Sequence, residues 1–302
     1  MLNRRSVLTS TAVTALATAL PSLTLAQGRK DAMVLGMTLE PPGLDPTAGA
    51  AAAIAEIVQY NVFETLTRIN ADGSVTPLLA QSFEVSPDLK TYTFQLHRGI
   101  KFQNGEPFNA QTVKFSFDRA GGEKSTNKDK RVFANFSTQA VDEFTVVVIN
   151  KEIDPDLLFI LGQATAIIVE PKSADTNATQ PVGTGPYKLE NWSKGSSLTL
   201  VKWDGFRTPG AAKIRKFTFR FISDPAAMAA SLLAGDVDAF PRAATRIVPQ
   251  FKNNPQFQVI LGGSRAKTIL AINSKKKPLD DVRVRRAILA AIDRKTVIEG
   301  AA

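Results

Sequence analysis

The residues that could do chemistry are few and poorly grouped. His97 is the single histidine in 302 residues, so a Ser-His-Asp triad or a histidine-ligated zinc site would have to use it. It stands at a strand end beside Arg98 and Gly99, with no second ligand at a suitable spacing, and reads as a surface or hydrogen-bonded side chain. Glycosidase chemistry needs two carboxylates. Asp142-Glu143, Asp154/Asp156 and Asp280-Asp281 qualify by proximity alone, and each falls where a turn or a helix cap wants an acid. GTGPY (183–187) invites a phosphate-loop reading, but no Gly-Lys-Ser/Thr follows and no helical pattern opens there. Its glycines instead suit a sharp backbone turn. There are no cysteines, which removes disulfides, a thiol nucleophile, a Cys-ligated metal and a lipid-anchoring cysteine. None of these groupings makes a catalytic or metal site.

Residues suited to binding are the aromatic rings Tyr187, Trp192 and Trp203, which would serve a cleft or a core equally well. Arg265 can hold a carboxylate in a bidentate pair or be an ordinary surface arginine. The formal charge is +9, but the basic residues are dispersed. KSTNKDKR (124–131) and KKK (275–277) are the only clusters, and neither is interleaved with aromatics. They read as solvated loops rather than a nucleic-acid surface. A basic surface still suits anionic ligands or the anionic membrane face.

These side chains must be positioned by a mixed set of elements. Residues 33–46 read as a strand followed by a Pro-rich turn, and the alanine-rich piece 47–59 as a helix ending near Tyr60. Between 75 and 119 the order is strand, turn, strand, turn, helix. Pro87-Asp88 marks a turn, and Tyr92, Phe94 and Leu96 alternate with polar residues. Asn104-Gly105 is a hairpin dipeptide, and Asn109 caps a helix carrying Val113 and Phe117 on one face. TVVVIN (145–150) is a β-branched strand, DPDLLFIL (154–161) a helix capped by Asp154, and SADTNATQP (173–181) a polar linker. SLTLVKW (197–203) and KFTFRFI (216–222) are strands. DPAAMAASLLAG (224–235) is a helix with Asp224 as cap, Leu232 and Leu233 on its apolar side and Gly235 as terminator; Asp236–Phe240 then re-enters a sheet. Strands alternating with helices argue an α/β fold. Asp281 caps a last amphipathic helix with Val284, Ala287, Ile288, Ala291 and Ile292 on one stripe, and DRKTVIEG starts another.

The run VTPLLAQSFEVSPDLKTYTFQLHRGIKFQNGEPFNAQTVKFSFDR (75–119) resembles the family 5 extracellular solute-binding proteins, the peptide and nickel receptors of bacterial ABC importers. Leu44-Asp45-Pro46 and VFETLTRI (62–69) look like the family's opening strand and first helix. PVGTGPYKLENW (181–192), LLAGDVDAF (232–240) and NSKKKPLDDVRVRRAILAAIDRK (273–295) follow in the family's order.

The resemblance implies a two-lobed flytrap of the type II periplasmic-binding-protein kind. The first lobe would be 27–69 plus 181–265, with an inserted α+β domain at 70–180; 266–302 would begin a second lobe whose remainder is absent. The last helix would then be left frayed or sticky. The implied function is capture of peptides or related small solutes for the permease subunits of an ABC transporter in the inner membrane, by a monomer with no nucleic-acid partner. A chaperone-like binding protein without a transporter, or a secreted hydrolase, are the other classes. Matching the family's motifs places Ala50, Ala51, Ala52 and Ala53 against ligand. Gly183 and Thr184 fall near the cleft, and Arg265, Lys267 and Thr268 at the crossing into the second lobe. At the start of the chain, Arg4-Arg5, an apolar run from Val7 to Leu20 and Thr24-Leu25-Ala26 read as a cleavable export signal over 1–26, of ordinary or twin-arginine type, and so a periplasmic protein.

Overall fold

The computed structural model describes residues 31–262 and 269–301; the export-signal reading and the residues Arg265, Lys267 and Thr268 lie outside the described residues. Strand β1 (Ala32–Met37) is the first element of the described residues and α1 (Ala52–Val58) follows a turn. The helix buries Ala53, Ile54, Ile57 and Val58, one stripe of a helical period. It stops before Tyr60, whose φ of 60° is held by its own hydroxyl: this donates to the Gly162 carbonyl at 2.8 Å and accepts from the Ile69 amide at 3.1 Å.

VFETLTRI differs from expectation. Only its end is regular, as β2 (Thr67–Ile69), paired antiparallel to β3 (Val75–Pro77). Val62, Phe63, Thr65 and Leu66 are fully buried in irregular backbone, because the carbonyls of Asn61 and Val62 are taken by a later loop rather than by a helix.

Strands β4 (Ala80–Val85) and β5 (Thr91–Leu96), helices α2 (Ala110–Gly121) and α3 (Lys130–Ala134), and strands β6 (Phe136–Ala140) and β7 (Thr145–Asn150) build one antiparallel sheet in the order β4-β5-β7-β6 with helices on one face. Tyr92 sits opposite Val148 and Phe94 opposite Val146, so the alternation read from the sequence becomes one buried face. The Asn109 side chain accepts from the Gln111 and Thr112 amides, a full capping box. Phe117, Phe133 and Phe136 pack ring to ring at 5.6–5.7 Å beneath.

Helix α4 (Leu157–Ile160) is a single turn, shorter than the sequence suggests. The Asp154 carboxylate accepts from Asp156 instead of from a helical first turn, so the helix begins later. The chain then passes between two cores: Ile168 packs with the Phe94 core, while Ile167 and Val169 pack with Ile57, Phe63 and Leu198. The stretch 173–181 is not the solvated linker its composition suggests. Ala174 and Asn177 are buried, and the Asn177 Oδ1 accepts from the Val182 amide at 3.0 Å.

Strands β8 (Tyr187–Ser193), β9 (Ser197–Lys202) and β10 (Lys216–Phe221) join β1 in a second sheet, ordered β1-β10-β9-β8, with β1 and β10 parallel. Helix α5 (Pro225–Leu233) crosses back, and Ala239 bridges Leu35 in parallel on the free side of β1. That crossover gives this half its α/β character. The Asp224 cap and the φ of 75° at Gly235 agree with the sequence reading. Leu233 does not: it is exposed, since the inward face of α5 runs through Met228, Ala229 and the half-buried Leu232. Helix α6 (Val248–Lys252) adds Phe251 to this small core. Helices α7 (Val282–Ala291) and α8 (Arg294–Ala301) end the described chain, with Asp281 capping α7. No residue of α7 is buried; Val284 and Ile288 are half-covered and Leu289 and Ile292 exposed. Among the described residues no helix is long and apolar enough to cross a membrane.

Candidate functional site

Helix α1 carries an outward face made of alanines and one acid. Its start, Ala51, has no side chain to cap the first turn, and Ala50–Ala53 leave the backbone uncovered by bulk. Three cavities of about 420, 330 and 280 Å³ open around this face. The largest takes in Ala50, Ala51 and Ala52 with Gln59, Gln163 and Lys128. The second is floored by Leu35, Met37, Phe217 and Phe219 of the sheet. The third holds Ala51–Ala53 against Thr38, Leu39 and Glu40. Glu56 and Arg242 line all three and form an ion pair at 2.6 Å. The arrangement can bind a small polar solute on an apolar floor.

Gly183 and Thr184 are placed differently. Thr184 is buried and its hydroxyl donates to Glu64 Oε2 at 2.9 Å. Arg207 grips the same carboxylate in a bidentate pair at 2.5 and 2.8 Å. The Gly185 and Tyr187 amides donate to the carbonyls of Val62 and Asn61, both at 2.9 Å. A Cβ on Gly183 would lie 1.9 Å from the Val62 oxygen, and one on Gly185 2.4 Å from the Asn61 oxygen. Glycine is required here for backbone to lie on backbone. The loop braces the segment after α1, and Asn61 of that segment lines the second cavity. The structure thus brings Ala50–Ala53 together at the cavities and sets Gly183 and Thr184 behind them.

The three aromatic candidates serve packing. Tyr187 is buried edge-on to Phe217 and donates to the Ile214 carbonyl at 2.8 Å. Trp192 donates to Glu40 at 2.9 Å beneath the Lys194 ammonium, and Trp203 packs against the backbone of Gly205. Desolvation raises the Tyr187 hydroxyl above its ordinary pKa, opposed by its hydrogen bond to Ile214. His97 is exposed. Asp142 accepts from Phe144 at 2.8 Å, and that backbone bond is the first reason its carboxyl is held below the usual range. Asp281 caps α7, and its carboxyl is lowered first by the Arg283 side chain and then by the Arg283 amide. Among the described residues no group of three or more His, Cys, Asp or Glu is placed to hold a metal. In the basic stretch 124–131, Lys124, Lys128 and Arg131 are exposed as expected, whereas Asn127 is buried and donates to the Thr165 carbonyl at 2.9 Å.

Sequence reasoning missed Glu56 and Arg242. Glu56 carried a weak signal, as the lone charge in the apolar helix AAIAEIV. Arg242 carried none, because its partner lies in a helix far back along the chain. It also missed Arg119, which joins the buried Asp45 at 3.0 Å and Thr47 at 2.5 Å.

Residues 74–302 match the family model of the bacterial extracellular solute-binding proteins, family 5. A "Glutathione-binding protein GsiB" of Salmonella choleraesuis (strain SC-B67) is 30% identical over 262 residues, covering 85% of this chain and 51% of that protein. The chain spans about half the length of the curated relatives it matches. Among solved structures, MoaA in complex with mannopinic acid from A.tumefacien R10 superposes with a TM-score of 0.77 at 25% identity, over 91% of this chain and 58% of that one. A nickel ABC transporter protein from Bacillus halodurans gives 0.69 at 28% identity, over 89% and 55%.

Proposed function

The chain belongs to the family 5 bacterial extracellular solute-binding proteins, and from that premise we propose that it captures a peptide or related small carboxylate solute for the permease of an ABC importer. The observation that carries this reading is the set of cavities around α1, floored by the β1–β10 sheet edge and lined by Ala50–Ala53. The relatives' names support the ligand class: one is called glutathione-binding, and one was solved with mannopinic acid. Binding needs no cofactor and breaks no bond; desolvation of the floor and hydrogen bonds to the solute's polar groups supply the free energy.

The domain reading goes with it. Residues 27–69 and 181–265 form one lobe, 70–180 an inserted domain and 266–302 the start of a second lobe. The core around Phe94 draws on residues 66–168, and the core around Ile57 on 37–63 and 187–219, with Ile167 and Val169 joining the latter. Ala50–Ala53 would face the ligand directly, Gly183 and Thr184 would act through the segment they brace, and Arg265, Lys267 and Thr268 would flank the crossing. Family 5 solute-binding proteins are periplasmic. We assign this chain there as a monomer, delivered by a cleavable signal over residues 1–26 of ordinary or twin-arginine type.

Calorimetry with dipeptides, tripeptides and glutathione tests the function. Saturable binding of at least one, with no turnover of chromogenic esters or glycosides, is expected. Turnover abolished by replacing a named carboxylate would contradict it.

A further inference from the structure

We infer that Glu56 and Arg242 form an exchangeable charge pair that selects zwitterionic solutes. Arg242 passes from Glu56 to a solute carboxylate while Glu56 takes the solute's ammonium. This rests on the reading of the cavities as a solute site. Both side chains line all three cavities, and no other charged residue lines more than one. Glu56 is fixed by α1, and Arg242 by the Leu35–Ala239 bridge just before it. The pair is therefore held at the shared mouth from two sides.

The contrast with the other ion pairs decides what this one is for. Glu64 is 4% exposed and held by both Arg207 and Thr184; Asp45 is 2% exposed and held by Arg119 and Thr47. Opening either would strand a buried charge. Glu56 and Arg242 share one contact of 2.6 Å, with side chains 31% and 72% exposed. Such a pair is weakly held and its partners are exchanged at little cost. A guanidinium fork matches a carboxylate in two parallel hydrogen bonds, so a solute carboxylate competes with Glu56 on equal chemistry. A solute bearing a carboxylate alone takes Arg242 and leaves Glu56 without its partner. An ammonium alone does the reverse. Only a solute with both charges leaves every charge matched. The small side chains of Ala51–Ala53 let it approach.

The test is an NMR titration of the 302-residue chain with Ala-Ala, acetyl-Ala-Ala and Ala-Ala amide, repeated in Glu56→Gln and Arg242→Gln. In the unaltered chain Ala-Ala should bind about two- to fivefold tighter than either blocked peptide, the range expected of an exposed ion pair. In Glu56→Gln the acetylated peptide should bind tighter than before, because Arg242 is no longer engaged, and the free amine should lose its advantage. In Arg242→Gln the acid and the amide should become equal, and Arg242→Lys should restore part of the difference. Equal weakening of all three peptides in both variants would make the pair a structural brace and overturn the inference. An unchanged order of affinities would overturn it too, and in both cases the solute-binding function would survive. Failure of the unaltered chain to bind any of the three would remove the inference together with the peptide reading.

Discussion

Alanine at Gly183 would set a methyl carbon 1.9 Å from the Val62 carbonyl oxygen, 2.7 Å from its carbon and 2.9 Å from the Phe63 ring. Val62 and Phe63 are fully buried, so the neighbours have no solvent to move into. Relief requires the loop to withdraw by about 1.5 Å, the gap between 1.9 Å and an ordinary contact of 3.4 Å. Two backbone bonds go with it: Gln103 amide to Gly183 carbonyl and Gly185 amide to Val62 carbonyl, both 2.9 Å. Forced overpacking costs about 1–3 kcal/mol, and a buried backbone group left unpaired about 1–3 kcal/mol more. Gly183→Ala should therefore destabilise by roughly 2–6 kcal/mol, a large part of the 5–15 kcal/mol typical of a whole domain. Gly43→Ala is the control, because its Cβ would meet nothing nearer than the Ala178 oxygen at 3.5 Å. Urea unfolding followed through Trp192 and Trp203 reads the difference, which should lower the midpoint by about 1 M or more. If the two variants unfold together, the bracing role of the loop is wrong.

Arg207→Ala leaves the Glu64 carboxylate buried without its guanidinium and should cost about 3 kcal/mol in the same assay; a change below about 0.5 kcal/mol would refute it. Tyr92 and Tyr187 are both held above the ordinary 10.0, chiefly by burial. A raised acid keeps its stabilisation below pH 10.0 and loses it as pH rises through the folded value. An absorbance titration should thus show both ionising above pH 10.0, with Tyr187→Phe removing one step. Asp281 is depressed below 3.8; its support of α7 is present above pH 3.8 and lost as pH falls through the folded value. Amide exchange in 282–291 should accelerate there in the parent chain and show no such step in Asp281→Ala.

Local grammar was legible where one residue settles one backbone state. Asn109, Asp224 and Asp281 cap the helices they were expected to cap. The alternation at Tyr92, Phe94 and Leu96 placed a strand and its buried face. The signal failed where distant partners decide. VFETLTRI has apolar content enough for a helix, but its backbone is claimed by the Gly183–Tyr187 loop. SADTNATQP is polar in composition, yet Asn177 is drawn inward to hold Val182. In the candidate site the alanines stood out as an unusual run, and the motif resemblance marked them. Glu56 and Arg242 meet only because a crossover returns the chain beside β1, and that pairing has no local pattern.

The most direct measurement is a backbone chemical-shift map of the chain titrated with a short peptide. Perturbations should group at Ala50–Ala53, Glu56 and Arg242, around the cavities over α1. Shifts confined to the sheet of β4, β5, β6 and β7, or none up to millimolar peptide, would contradict it.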